Sequence, residues 1–272
     1  MRSCPKRLAL VVMAALLHAA TLLSAEPSAV AATTDPWQLG GSSTVAVPAG
    51  TCLTSTWTCA ARHFTSTTLR LTFGMRLAVA VQATAERGNA LPVAGIMAGA
   101  GAIAAINGGY YAQDFRTDGL LRINGIEPTP ISKAAVMSGF VAISSDGMIS
   151  LRSRDDGPGD APSVRQSGPF IIDAGGTVGI RMTPDAPMAR RSLVAISSGG
   201  IVLLIATSDV TLYDLALCLH DAPAGFATAG IERALNLDGG PSTALVVSGL
   251  PTPQVFSERR PVRDCLVVLP PK

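Results

Sequence analysis

The sequence predicts an α+β fold of mainly antiparallel sheets built from hairpins, with a few flanking helices. Three observations lead there. Short apolar runs recur between Asn-Gly, Asp-Gly and Gly-Gly turns. Helical spacing is confined to two segments, and no strand–helix–strand rhythm of a parallel sheet appears. Apolar residues make up 48% of the 272 and charged ones 15%, which favours a sizeable core over disorder.

The first 31 residues read as a leader. Arg2, Lys6 and Arg7 precede an apolar run from Leu8 to Leu23, and Ala29 and Ala31 occupy the −3 and −1 positions of a cleavage site. Ala25 offers a second cleavage point. The apolar run is shorter than the roughly 20 residues of a spanning helix, and no later run is longer, so no stable membrane insertion is expected. The implied location is periplasmic or secreted.

The rest divides into an N-terminal extension, residues 32–68, and a main domain, residues 69–272. Residues 32–50 are rich in Gly, Ser and Thr and read as a loose lead-in. Strands follow at Leu69–Phe73 and Arg76–Val81, and Pro92 opens a short helix through Ala98. An apolar strand, Ala102–Ile106, stops at Asn107-Gly108-Gly109. Hairpins are expected around Asn124-Gly125, Asp146-Gly147 and Gly199-Gly200. Thr211, with Asp214 three residues on, caps a helix whose apolar face carries Leu212, Leu215, Ala216 and Leu219. Ala234–Leu237, Ala244–Val247 and Cys265–Leu269 are the closing strands.

Three of 21 basic residues and one of 19 acidic residues lie in the leader, so 18 of each remain. With a formal charge of zero and no Lys/Arg run beyond pairs, nucleic acid is excluded as a partner. Cys52, Cys59, Cys218 and Cys265 remain after the leader. In an oxidising compartment they imply disulfides, expected as a local Cys52–Cys59 loop and a long-range Cys218–Cys265 staple. The alternative is that Cys218, on an apolar helix face, is a buried thiol. There is no C-x-x-C, and His63 and His220 lack partners at ligand spacing, so no metal is expected. No cofactor is expected either, and nothing in the sequence signals a divalent cation.

Two segments share one form, an apolar strand that stops at Asn or Asp before a glycine pair. They are Ile106-Asn107-Gly108-Gly109-Tyr110 and Asn236-Leu237-Asp238-Gly239-Gly240-Pro241-Ser242-Thr243. Glycine pairs let backbone N–H groups close around an anion. A carboxyl at the end of a buried strand, such as Asp238, is desolvated and suited to acid/base work. Ser242 and Thr243 add hydroxyls, and Arg190-Arg191 adds the planar fork that grips phosphate. The same residues also suit ordinary strand-ending turns. Gln166-Ser167-Gly168-Pro169 opens another apolar strand, and Ser257-Glu258-Arg259-Arg260-Pro261-Val262 holds a second acid. Gly99-x-Gly101-x-x-Ala104 mimics a dinucleotide fingerprint, but it follows a helical pattern and its glycines end that helix.

In this order, the Asn107, Gln166, Arg191-Ser192, Asp238 and Glu258 motifs resemble the phosphodiester glycosidase family, whose namesake is N-acetylglucosamine-1-phosphodiester α-N-acetylglucosaminidase. The resemblance spans residues 70–269. It implies hydrolysis of the bond between a sugar's anomeric carbon and a phosphodiester, in bacteria often linked to exopolysaccharide. It aligns Arg191, rather than Arg190, with the family's arginine. Pro241 stands where the family often has a third glycine, and Thr207-Ser208-Asp209-Val210 replaces its Asp-Gly-Arg segment.

On this reading Asp238 is the principal carboxylate and Glu258 its partner. Substrate contacts are expected from Asn107, Gly108, Gly109, Tyr110, Gln166, Ser167, Arg191, Asn236, Gly239, Gly240, Ser242 and Thr243. The substrate is a sugar-phosphodiester or a polysaccharide that carries one. The competing reading is a non-catalytic glycan-binding protein of the cell envelope.

Overall fold

The computed structural model describes residues 37–59, 62–84, 86–183, 185–222, 228, 230–249 and 255–272. The expected leader lies outside them. From the N terminus the strands are β1 (Gln38–Val47), β2 (Gly50–Cys59), β3 (Arg62–Leu71) and β4 (Arg76–Val81). Helix α1 (Val93–Gly99) leads to β5 (Ala104–Asn107), β6 (Leu121–Ile123), β7 (Ile126–Thr129), β8 (Gly139–Ile143) and β9 (Ile149–Ser153). Next come β10 (Ser163–Ser167), β11 (Phe170–Asp173), β12 (Thr177–Val178), β13 (Ala189–Ser197) and β14 (Gly200–Val210). Helix α2 (Leu212–His220) precedes β15 (Ile231–Asn236), β16 (Leu245–Val247), β17 (Val255–Phe256) and β18 (Asp264–Leu269).

These strands form three sheets. The large one runs β1-β2-β3-β14-β13-β15-β11-β12, the second β7-β6-β10-β8-β9, and the third β17-β16-β5-β18-β4. The expected α+β class, with antiparallel sheets and few helices, describes them well.

Side-chain alternation sets the layers. Along β13 and β14, Val194, Leu203 and Ile205 point into one core, which also holds Ile106, Leu245, Leu266 and Val268 of the third sheet. Their neighbours Leu193, Ala195, Val202 and Leu204 point the other way, against Leu215, Ala216 and Leu219 of α2. The third sheet is two-faced as well, because Ala105, Val246 and Val267 pack on Val93 and Ile96 of α1. The order is therefore helix, large sheet, third sheet, helix. Strands covered on both faces need apolar residues at every position, which explains their unbroken apolar runs.

Local signals set the punctuation. Asn124 (φ 50°) and Gly125 (φ 80°) form the left-handed pair that a tight β6–β7 hairpin needs. The Thr211 side chain accepts a hydrogen bond from the Asp214 N–H and starts α2. Gly101, at φ 62°, follows α1 and ends it, so the fingerprint-like glycines are a helix stop.

Two expectations are corrected. Residues 38–47, read as part of a loose lead-in, form β1. This edge strand is exposed along most of its length and among the described residues pairs only with β2, so it needs no apolar alternation and leaves none in the sequence.

Neither expected disulfide forms. Cys52 and Cys59 sit near opposite ends of β2, seven residues apart. At ~3.3 Å of rise per residue that separation far exceeds the reach of a disulfide. Cys218 packs in the core between the large sheet and α2, whereas Cys265 packs between the third sheet and α1. Their thiols are raised mainly by burial, and Cys265 is fully buried.

Candidate active site

Strands of two different sheets stop side by side. β5 ends at Asn107 and β15 at Asn236, and the turns that follow lean on each other through the Asp238 N–H, which donates to Gly108 O at 3.1 Å. The Asn107 amide seals the junction. Its Nδ2 donates to Asp238 O at 2.7 Å, and its Oδ1 accepts from Ser192 Oγ at 2.6 Å and Ala244 N at 3.1 Å. Asn236 does the matching work, with Nδ2 donating to Tyr110 Oη at 2.9 Å, Gly168 O at 3.0 Å and Leu237 O at 2.6 Å.

A charged pair lies under these turns. Arg165 and Asp264, both fully buried, form an ion pair at 2.9 Å. The rest of the Arg165 guanidinium donates to the carbonyls of Tyr110, Asp118 and Gln166. Gly108 N donates to Asp264 O and Gly109 N to Asp264 Oδ1. A Cβ at Gly108 would strike the Asp264 carboxylate, and one at Gly109 would come within 2.5 Å of Arg165 Cζ. The first glycine pair thus closes around an internal anion, where an external one was expected.

The second pair frames Asp238. Its Oδ1 accepts from Gly239 N at 2.8 Å, and the Ser242 hydroxyl also bonds the carboxylate. Burial raises its proton affinity above that of an ordinary Asp, and the Asp264 charge adds to the rise. The two donors and the Arg165 charge oppose it. Burial also pushes Tyr110 up to about 12, with the Asp238 charge adding, while the Arg191 charge and the Asn236 bond pull it back.

Asp238, Gly239 and Ser242 line a cleft of about 240 Å³, together with Tyr111, Gln113 and Pro241. Arg87 and Arg260 line it as well. Asp238 is the one carboxylate among the described residues that do so. Burial, hydroxyl and amide donors, and nearby guanidinium groups fit it to exchange a proton beside an anionic ligand.

The other expected residues act from behind this surface. Gln166, fully buried, accepts from Leu120 N and Ser132 N and donates to Ser132 O and Met137 O. Ser167 Oγ donates to Asn236 O, and Thr243 is fully buried. The Arg191 guanidinium donates to Val210 O at 3.0 Å and to Pro187 O, which clamps the ends of the β13–β14 hairpin. Its neighbour Arg190 grips Gly240 O at 2.7 and 3.0 Å and stacks on Phe256. Glu258 accepts from Val93 N at 2.9 Å at the start of α1.

Sequence reasoning missed Arg165, Asp264, Arg87, Tyr111 and Gln113 and gave Arg260 no role of its own. Asp264 left a signal, a carboxylate at the head of the apolar run that follows. Arg165 sat next to the Gln166 motif. Arg87 left none.

The sequence pattern of the phosphodiester glycosidase family matches residues 100–269. No curated protein matches the chain. Among solved structures, a hypothetical protein from Synechocystis is similar, with a TM-score of 0.59 and 16% identity. The similarity covers 80% of this chain and 61% of that one, so this chain spans about three fifths of its length. The catalytic domain of zebrafish N-acetylglucosamine-1-phosphodiester alpha-N-acetylglucosaminidase, auto-inhibited by its pro-peptide, is similar too. Its TM-score is 0.55 at 15% identity, over 88% of this chain and 85% of that one. At these identities the two structures speak for the fold. The family match runs from before β5 to the end of β18 and takes in both glycine-pair turns and Asp238, and on that extent the chain belongs to the phosphodiester glycosidase family.

Proposed function

We propose that this protein hydrolyses the bond between a sugar's anomeric carbon and a phosphodiester, with Asp238 as the reacting carboxylate. One observation carries the reading: the carboxylate in the cleft is the half-buried Asp238, held by Gly239 N and the Ser242 hydroxyl. Ordinary glycosides need a second carboxyl to protonate the leaving oxygen. A phosphate departs as a stable anion, so one carboxylate suffices. The electron pair of the breaking carbon–oxygen bond goes to the phosphate. Water forms the new bond to the anomeric carbon, and its proton goes to Asp238, whose raised proton affinity favours the transfer.

Asn107, Asn236 and Ser167 hold the turns that present Asp238, while Gln166 and Arg191 brace the neighbouring loop and hairpin. Glu258 positions α1 instead of sharing the chemistry, because it does not line the cleft and one of its oxygens accepts from the Val93 N–H. The leader-like residues 1–31 support export, and the family supports a sugar substrate of the envelope or exopolysaccharide. In exported protein the N terminus should read Ala32 or Glu26.

The test is incubation of the purified protein with a panel of sugar-1-phosphodiesters, followed by phosphorus NMR. Release of a phosphomonoester that disappears in Asp238→Asn supports the reading. Retention on a polysaccharide column with no turnover of any panel member would replace it with the glycan-binding reading.

A further inference from the structure

Two arginines face the cleft without an acidic partner. Among the described residues neither Arg87 nor Arg260 makes an ion pair. Arg87 is nevertheless held in place. Its guanidinium lies 5.5 Å from the Tyr111 ring centroid and 5.7 Å from that of Phe115, and its Nη2 donates to Gln113 O at 3.0 Å. Its Nε is buried with no hydrogen-bond partner. Arg260 is anchored through its backbone, with its N–H on Pro241 O at 3.1 Å, while its side chain is exposed. A guanidinium fixed by aromatic faces and a loop carbonyl is already ordered, so it loses little freedom on meeting a ligand.

We infer that Arg87 and Arg260 form the phosphate seat of this cleft and select an anionic sugar phosphodiester, which leaves the seat as a phosphomonoester. The substrate half of this inference rests on the proposed glycosidase reading; the anion seat itself does not. Among the described residues the cleft brings two cations to a single carboxylate, which leaves positive charge for an anionic ligand. A planar donor fork matches the non-bridging oxygens of phosphate. The Arg191 guanidinium, by contrast, is engaged by two backbone carbonyls. Arg87 also precedes residues 100–269, so this half of the seat comes from outside the segment that carries the family pattern. The phosphomonoester product carries more negative charge than the diester, because its second ionisation lies at about pH 6. It should therefore hold the seat more tightly than the substrate and inhibit competitively.

Calorimetric titration of inorganic phosphate into the full chain tests the seat directly. Wild-type protein should bind phosphate, and Arg87→Gln and Arg260→Gln should each weaken it about tenfold, the loss of one charge-assisted pair. Arg181→Gln, an exposed arginine outside the cleft lining, should change nothing. In turnover assays the two cleft variants should lower kcat/KM for a sugar-1-phosphodiester about tenfold or more, with the fold intact by circular dichroism. Absence of phosphate binding by wild-type protein, or equal binding by all four proteins, overturns the seat. If phosphate binding falls in the variants while no phosphodiester is turned over, the seat stands and the glycosidase reading fails. If turnover is normal and neither substitution affects phosphate binding, the seat fails and the glycosidase reading stands.

Discussion

Asn107 and Asp238 are 131 positions apart in the chain, yet the Asn107 side-chain amide donates to the Asp238 carbonyl over 2.7 Å. One amide thus joins the end of the third sheet to the turn that carries the cleft carboxylate. Asn107 is fully buried, so it sets where Asp238 stands without meeting solvent.

Replacing Asn107 with Leu keeps its branched shape, adds some bulk and removes its polar atoms. The Ser192 hydroxyl and the Ala244 N–H would lose their partner inside the fold, at about 1–3 kcal/mol for each group left unsatisfied. Urea unfolding should show a loss of about 2–4 kcal/mol. A loss within experimental error would mean that the amide is dispensable to the junction.

Asp238→Asn should lower turnover by about 10²–10⁴-fold while phosphate binding persists. The same variant has a stability signature. Folding raises the proton affinity of Asp238, so its contribution is fully present below the unfolded carboxyl value of about 3.9. That contribution is lost as pH rises through the folded value. Asn carries no such dependence. The variant should therefore gain stability relative to wild type at pH 7 compared with pH 3, measured as the difference in thermal midpoint. A difference that is flat with pH would remove the desolvated carboxylate from the account.

Arg165→Met strands the Asp264 carboxylate in a fully buried site. Breaking such a pair typically costs about 3–5 kcal/mol, whereas replacing both members with apolar residues is far milder. The double variant Arg165→Met/Asp264→Leu should accordingly recover much of the stability lost by the single change. Equal losses in the single and double variants would show that the carbonyls held by Arg165 matter more than the charge pair.

Cys218 and Cys265 are buried thiols whose ionisation is displaced upward by desolvation. Iodoacetamide attacks the thiolate, so at pH 8 both should stay unmodified in the folded protein and react in denaturant. Peptide mapping without reductant should find neither a Cys52–Cys59 nor a Cys218–Cys265 linkage. Recovery of either linked peptide would contradict the placement of these strands.

What the sequence determined by itself is whatever a few neighbouring residues decide. The Asn124-Gly125 hairpin, the Thr211 cap and the Gly101 stop each depend on backbone angles or on a hydrogen bond within four positions. The two-faced apolar strands and the Asp238 turn were legible for the same reason, since a run of side chains announces its own burial. Tertiary structure decided the rest. Arg165 meets Asp264 across 99 positions, and Arg87 reaches the Asp238 cleft from ahead of the family-matched segment. The cysteines show the converse, because an even count carries no distances and the fold put the expected partners in separate cores. The glycine pair at Gly108 joins both levels. Its conformational freedom is written in the sequence, but its purpose, room for the Asp264 carboxylate, exists only once β5 and β18 lie side by side. A contact between distant strands is chosen by the packing of whole sheets, and no local pattern encodes that choice.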